Sequence, residues 1–224
     1  MPPLVIAHRG ASGHAYENSP AAFRRAVELG ADGVELDVHA AGDGTLLVHH
    51  DPDVPGVGRI GDLSRAAFEP YRLPNGEPIP TLEEALALLA GLVVWVEVKT
   101  LPPEWDARLI STLESGPTPS RYAVHGFDHR IVARLGERRP GLHRGVLLAS
   151  YLLDTLSVLR DAGADTLWME THLIDAELVR TVHAARGRII AWTANDDREI
   201  RRLIALGVDG ICGNYPDRIR AALS

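Results

Sequence analysis

Seven residues at the ends of apolar runs carry groups that could do chemistry together: His8 and Arg9 in "LVIAHRG", Glu35 and Asp37 in "GVELDVH", Glu97 and Lys99 in "VVWVEVK", and His50 in "TLLVHHD". Lys99 is the only lysine in a chain that otherwise takes its positive charge from arginine. Residues two apart share a strand face, so Glu35 points with Asp37 and Glu97 with Lys99. Three converging carboxylates repel one another unless something neutralises them, and the simplest neutraliser is a divalent cation bound through oxygen. All-carboxylate ligation suits a hard ion, Mg²⁺, Ca²⁺ or Mn²⁺, better than Zn²⁺. The competing reading, a structural network with Arg9 and Lys99, is disfavoured because a cluster of charges on an inner strand face is costly. Two imidazoles suit proton transfer near neutral pH, one taking a proton from a nucleophile and the other giving one to a leaving oxygen. With Arg9 and Lys99 holding an anion beside the metal, the set suits phosphoryl chemistry, where positioning and charge stabilisation supply most of the catalysis. A compact ammonium at position 99 fits where a guanidinium is bulky.

The rest of the chain bounds this reading. Its 224 residues, 46% hydrophobic, suffice for one domain, 1–224, of the barrel or large α/β type. A net charge of -7 argues against a nucleic-acid binder that works by phosphate neutralisation. Cys212 stands alone, so no intrachain disulfide or CxxC motif exists, and it reads as a small buried residue. The start, "MPPLVIAHRG", enters a strand-like run at once without a secretory pattern, which places the protein in the cytoplasm. The longest apolar stretch, "ALALLAGLVVWV", is interrupted by Gly91 and falls short of the roughly 18 to 20 residues of a membrane span. No helical face carries sustained heptads.

The positioning elements follow from periodicity. Strand-like runs at 4–10, 33–39, 93–99, 122–127, 145–150, 166–171, 189–194 and 210–215 alternate with helical patterns at 18–29, 81–90, 104–115, 128–138, 154–162, 175–186, 196–206 and 216–223. Asn18 with Pro20 opens the first helix, Thr81 with Glu84 makes a capping box, and Gly30, Gly163, Gly187 and Gly207 occupy C′ positions. Eight βα units predict a closed (β/α)8 TIM barrel with its site at the C-terminal strand ends. An open doubly wound sheet is the rival, but no GxGxxG or Walker pattern follows a strand. After the second strand, "AAGDGTLLVHHD" reads as a hairpin turning at Asp43-Gly44, with residue pairs summing to about 87, so that Asp37 faces His50. The segment 52–80, rich in Pro and Gly, completes an insertion at about 43–80 that covers the mouth.

These residues, in this order, resemble the glycerophosphodiester phosphodiesterase family: "HRG" at 8–10, "ENS" at 17–19, "ELD" at 35–37, "HD" at 50–51, "PTLEEAL" at 80–86, "EVK" at 97–99, "AWTAN" at 191–195 and "GVDGICGNYPD" at 207–217. The resemblance implies a (β/α)8 barrel with an insertion after the second strand, His8 and His50 as the acid/base pair, and Glu35, Asp37 and Glu97 as ligands of Ca²⁺ or Mg²⁺. It implies Arg9 and Lys99 as phosphate contacts, and Glu17 and Asn18 as residues that shape the first loop. Its reaction takes a glycerophosphodiester and water to sn-glycerol 3-phosphate and an alcohol. Which histidine is the acid stays open, as does direct attack by water against a cyclic intermediate. Phe127 and Trp192, at strand ends, would line the glycerol side, with Glu170 and Asn195 as outer contacts. His39 reads as hydrogen-bonded, and His14, His49, His125, His129, His143, His172 and His183 as packing or solvated groups.

The chain departs from the family pattern at Gly126-Phe127, usually Ser-Phe, and at Cys212-Gly213-Asn214, where a Thr is more common. The segment after "HHDP" is also shorter than the family commonly shows. Rival functions are a lysophospholipase D with the same site, a phospholipase C-like lyase that stops at a cyclic product, a metal-dependent sugar isomerase, and a non-catalytic binder of glycerophosphates. The isomerase has no need of the Arg9 and Lys99 pair, and the binder none of two proton-transfer groups.

Overall fold

The alternation of strand and helix closes on itself. The computed structural model describes residues 2–224. Its strands are β1 (Leu4–His8), β2 (Gly33–Ala40), β3 (Leu46–Val48), β4 (Asp53–Val54), β5 (Gly58–Arg59), β6 (Val93–Thr100), β7 (Tyr122–Gly126), β8 (His143–Leu148), β9 (Thr166–Glu170), β10 (Arg188–Trp192) and β11 (Gly210–Gly213). Parallel pairing runs β1, β2, β6, β7, β8, β9, β10, β11 and returns from β11 to β1. The helices α1 (Pro20–Glu28), α2 (Leu82–Leu88), α3 (Asp106–Ser115), α4 (His129–Arg138), α5 (Thr155–Ala162), α6 (Ala176–Ala184) and α7 (Asp197–Leu206) lie between consecutive barrel strands in sequence, and α8 (Pro216–Ala222) follows β11. The architecture is the (β/α)8 TIM barrel, which puts the βα loops and the polar strand ends on one face.

The lumen is filled by side chains rather than open. Ile6, Trp95, Leu147, Trp168, Ile190 and Cys212 form its core, with the rings of Trp95 and Trp168 edge-on at 5.3 Å. Every residue of β2 is buried, Glu35, Asp37 and His39 included, so this strand carries its charges into the interior. That is affordable only with partners in reach.

Three local expectations are corrected. The hairpin pairs Val38 with Val48, His39 with Leu47 and Ala40 with Leu46, one residue out of the expected register, so Asp37 faces His49 and not His50. The loop has three residues, not two: the Ala41 carbonyl accepts from Gly44 N–H, the Ala41 N–H donates to the Thr45 carbonyl, and Gly44 takes φ +79 as the left-handed third residue. The cap of α1 is Ser19, whose hydroxyl accepts from Ala22 N–H, while Asn18 points into the barrel instead. At the end of α6 the left-handed residue is Arg186, φ +61, and Gly187 follows it, donating to the Val182 carbonyl in a Schellman arrangement.

The insertion has a small core of its own, in which Leu47, Val54, Ile60, Phe68, Leu73 and Ile79 are buried together. It is tied to the barrel beside the first βα loop, where the Glu77 carboxylate accepts from Ala21 N–H at 2.9 Å and from Arg24 at 2.7 Å. The Thr81 and Glu84 capping box is present and starts α2. After β6, the fully buried Asp106 receives Arg134 at 2.7 and 2.9 Å, and Arg138 lies 2.9 Å away, which clamps α3 to α4.

Candidate active site

Strand register brings the polar ends together. His8 lies opposite Glu35 across β1 and β2, Asp37 opposite Glu97 across β2 and β6, and Glu97 opposite His125 across β6 and β7. Oxygens of Glu35, Asp37 and Glu97 all fall within 4.8 Å of one another, and all three residues are buried. Burial pushes the Glu35 carboxyl well above its ordinary value, with the charges of Asp37 and Glu97 adding to it. Burial and then Asp37 push Glu97 up in the same sense. Glu35 Oε1 and Asp37 Oδ1 have no hydrogen-bond donor. Mutually repelling carboxylates with bare, converging oxygens are a donor set that fits a hard divalent ion.

Two cations border this trio. A bulge between β2 and β6 pairs Val38 with Val98 but His39 with Thr100, leaving Lys99 as the extra residue. Its ammonium reaches Glu97 at 2.8 Å and stands 3.6 Å from Asp37. Burial pulls the Lys99 ammonium down, but Asp37 and Glu97 outweigh it and hold it above its ordinary value. Arg9 breaks β1 with φ +54, and Gly10 continues at φ +77. A Cβ on Gly10 would stand 2.7 Å from the Ala22 backbone, so only glycine lets α1 lie against this turn. Arg9 thereby donates its N–H to Glu35 Oε2 at 3.1 Å and brings its guanidinium 3.1 Å from Asp37. Glu17 takes two 2.9 Å hydrogen bonds from Arg9, so its contact is with the cation.

The two histidines are held differently. His8 Nδ1 donates to Asn214 Oδ1 at 2.8 Å, and Asn214 N–H in turn donates to Asn195 Oδ1 at 2.8 Å. Burial first, and Arg9 second, lower the His8 imidazole to about 4 against the opposing pull of Asn214 and the carboxylates. His50 Nδ1 donates to the Asp51 carboxylate at 2.8 Å, and its ion-pair partner is Asp51 rather than the trio. His39 is the hydrogen-bonded residue expected: Nε2 donates to the His50 carbonyl at 3.0 Å and Nδ1 meets the Thr100 hydroxyl at 2.9 Å. This bond, and not strand register, is what secures the His50 backbone.

Phe127 and Trp192 meet edge to face, centroids 5.6 Å apart, as an aromatic pair where β7 and β10 end. Glu170 contacts His172 at 3.3 Å and stays outside the cluster. Asn18, expected to shape the first loop, does so by donating from Nδ2 to Asp37 at 2.8 Å; sequence reasoning passes over Asn214 beside His8 and reads His125, which lies beneath Glu35, as a packing or solvated group. The signal for His125 was parity, because it shares a strand face with Phe127.

The comparisons with known proteins agree with this geometry. The model of the glycerophosphoryl diester phosphodiesterase family matches residues 8–218. The chain belongs to that family. A glycerophosphodiester phosphodiesterase from Caldanaerobacter subterraneus subsp. tengcongensis is 32% identical over 235 residues, 98% of this chain and 97% of that one. One from Arabidopsis thaliana is 30% identical over 99% of this chain and 74% of its own length. Among solved structures, an Oleispira antarctica phosphodiesterase in complex with its product sn-glycerol-3-phosphate superposes with a TM-score of 0.93 at 26% identity, covering 99% and 97% of the two chains. Membership of the family carries the enzyme class, phosphoric diester hydrolysis.

Proposed function

We propose that the chain is one catalytic domain that hydrolyses glycerophosphodiesters to sn-glycerol 3-phosphate and an alcohol. The observation that carries this reading is the buried trio of Glu35, Asp37 and Glu97 flanked by Arg9 and Lys99, with His8 at the same strand end. The trio would hold Ca²⁺ or Mg²⁺, with Mn²⁺ also suited, and such an ion supplies Lewis-acid stabilisation of phosphoryl charge. Arg9 and Lys99 bind the phosphate oxygens, and Glu17 keeps the Arg9 fork in place. Phe127 and Trp192 form the apolar wall against the glycerol carbons.

The hydrogen bonds support an order for the histidines. The Asn214 amide fixes the proton on His8 Nδ1 and cannot stabilise an imidazolium as a carboxylate does, which leaves a lone pair on Nε2. His8 therefore accepts the proton of the attacking oxygen. The Asp51 carboxylate behind His50 accepts from Nδ1 and leaves Nε2 to serve the substrate, so His50 gives a proton to the leaving alcohol as the one P–O bond to that alcohol breaks. A second reading has one observation in its favour: Leu153 is fully exposed and Phe127 and Tyr151 are each nearly half exposed, on loops after β7 and β8, and this apolar rim suits a lysophospholipid substrate.

The test is release of glycerol 3-phosphate from glycerophosphocholine, glycerophosphoethanolamine and glycerophosphoinositol with Ca²⁺, Mg²⁺ or Mn²⁺ and with chelator, alongside His8→Ala and Glu97→Ala. Metal-dependent release, lost in both variants, is expected. Choline release from lysophosphatidylcholine alone would transfer the assignment to the second reading. Inactivity on all substrates with retained glycerol 3-phosphate binding would sink the catalytic one.

A further inference from the structure

Beneath the trio sits a histidine that the mechanism above does not use. His125 is an inward-facing residue of β7, on the same face as Ala123 and level with Glu97 on β6 and with Gly145 on β8. Its ring is almost fully buried, stacked on Trp168 at 4.2 Å and edge-on to Trp95 at 5.6 Å. A Cβ on Gly145 would stand 2.9 Å from Trp168, so the absent side chain on β8 makes the room this packing needs. The aromatic neighbours restrict where the imidazole can point.

Neither ring nitrogen of His125 has a hydrogen-bond partner, and neither has Glu35 Oε1. These orphans face each other, with His125 Nε2 3.9 Å from Glu35 Oε1. Buried polar groups left unpaired are costly and rare, and a donor set opposite a bare acceptor is the arrangement that relieves both. The second oxygen, Glu35 Oε2, is already taken by Arg9 N–H at 3.1 Å. A movement of about 1 Å, to ordinary hydrogen-bond length, would close the gap and leave the carboxylate held at both oxygens.

We propose that His125 is a positioning residue for Glu35: as a neutral imidazole it donates from Nε2 to Oε1 and so fixes the rotation of a carboxylate that binds the cation. Partners behind metal ligands commonly act this way, and their loss weakens metal affinity about 10- to 100-fold. The inference rests on the reading of Glu35 as a metal ligand.

The experiment is calorimetric titration of Mn²⁺ into the wild-type protein, His125→Phe and His125→Gln, with apo melting temperatures measured beside it. Phenylalanine keeps the aromatic stack and removes the donor, whereas glutamine restores a donor without the ring. Expected are Mn²⁺ affinity about 10-fold or more weaker in His125→Phe at a melting temperature no lower than wild type, and affinity restored to within about 3-fold in His125→Gln. Wild-type affinity in His125→Phe, or equal weakening in both variants, would overturn the inference. An absence of Mn²⁺ binding by the wild type would instead remove the metal-site reading beneath it. Independently of any variant, the nitrogen shifts of His125 in the Mg²⁺-loaded wild type should report a proton on Nε2, and a proton on Nδ1 alone would contradict the assignment.

Discussion

At the residue scale, the site is set by which neighbour each ionisable group has. With His8 as base, its neutral form is the active one, so kcat/KM should fall with acid only as pH approaches about 4. An acid limb at 6.5 or above would place the base elsewhere. Replacing its amide partner, Asn214→Asp, puts a carboxylate on His8 Nδ1 and should move that limb up by about one pH unit or more. Glu35 carries the opposite kind of shift. Its raised value means that its contribution to apo stability is present below pH 4.5 and lost as pH rises through the folded value. In chelator, Glu35→Gln should therefore melt higher than wild type at pH 8, with the gap closing toward pH 4.5. A variant that melts lower throughout would show that the carboxylate is better satisfied than its surroundings indicate.

At the element scale, strands and helices were legible because periodicities of two and 3.6 residues do not depend on partners far away. The barrel strands all lie within two residues of their expected limits, and β1 stops two residues early because the backbone turns left-handed at Arg9. What could not be read were choices decided by one hydrogen bond or one loop residue. Asn18 and Ser19 are both good caps, and only the buried Asp37 decides that Ser19 caps while Asn18 turns inward. The hairpin register depended on whether Gly44 closed a two- or three-residue loop. Parity put His125 on the face of Phe127, but an isolated histidine in an apolar strand carries no sign of which group it meets there.

Gly44 also makes a prediction at this scale. Its left-handed φ and the Trp105 ring packed against its Cα both forbid a side chain, so Gly44→Ala should cost about 1–3 kcal/mol in urea unfolding. A cost under a few tenths would mean that hairpin and Trp105 are not mechanically joined. Asp106→Ala, which strands Arg134 and Arg138 beside α3, should cost about 2 kcal/mol or more, discounted from the fully buried case because both arginines reach solvent.

At the scale of the whole molecule, the barrel gathers an excess of buried negative charge at one end of a chain of net charge -7. A cation binding only the folded state at 100 times its Kd should stabilise by about 2.7 kcal/mol. For a domain of this size that is about 5–10 °C in Tm. Chelator should reverse the shift, and Glu97→Ala should blunt it. No helix among the described residues is long and apolar enough to cross a membrane.

The solitary Lys99 gives the molecule a built-in reporter. Arginine supplies every other basic side chain of this type, so Lys99 holds the only side-chain amine in the chain, and it stands 2.8 Å from Glu97 and 3.6 Å from Asp37. Reductive methylation with ¹³C-formaldehyde would place a single isotopic label on a side chain at the centre of the site, apart from one on the α-amine. Its resonance should move once when divalent cation enters and again when glycerol 3-phosphate follows, while the α-amine signal stays put as an internal reference.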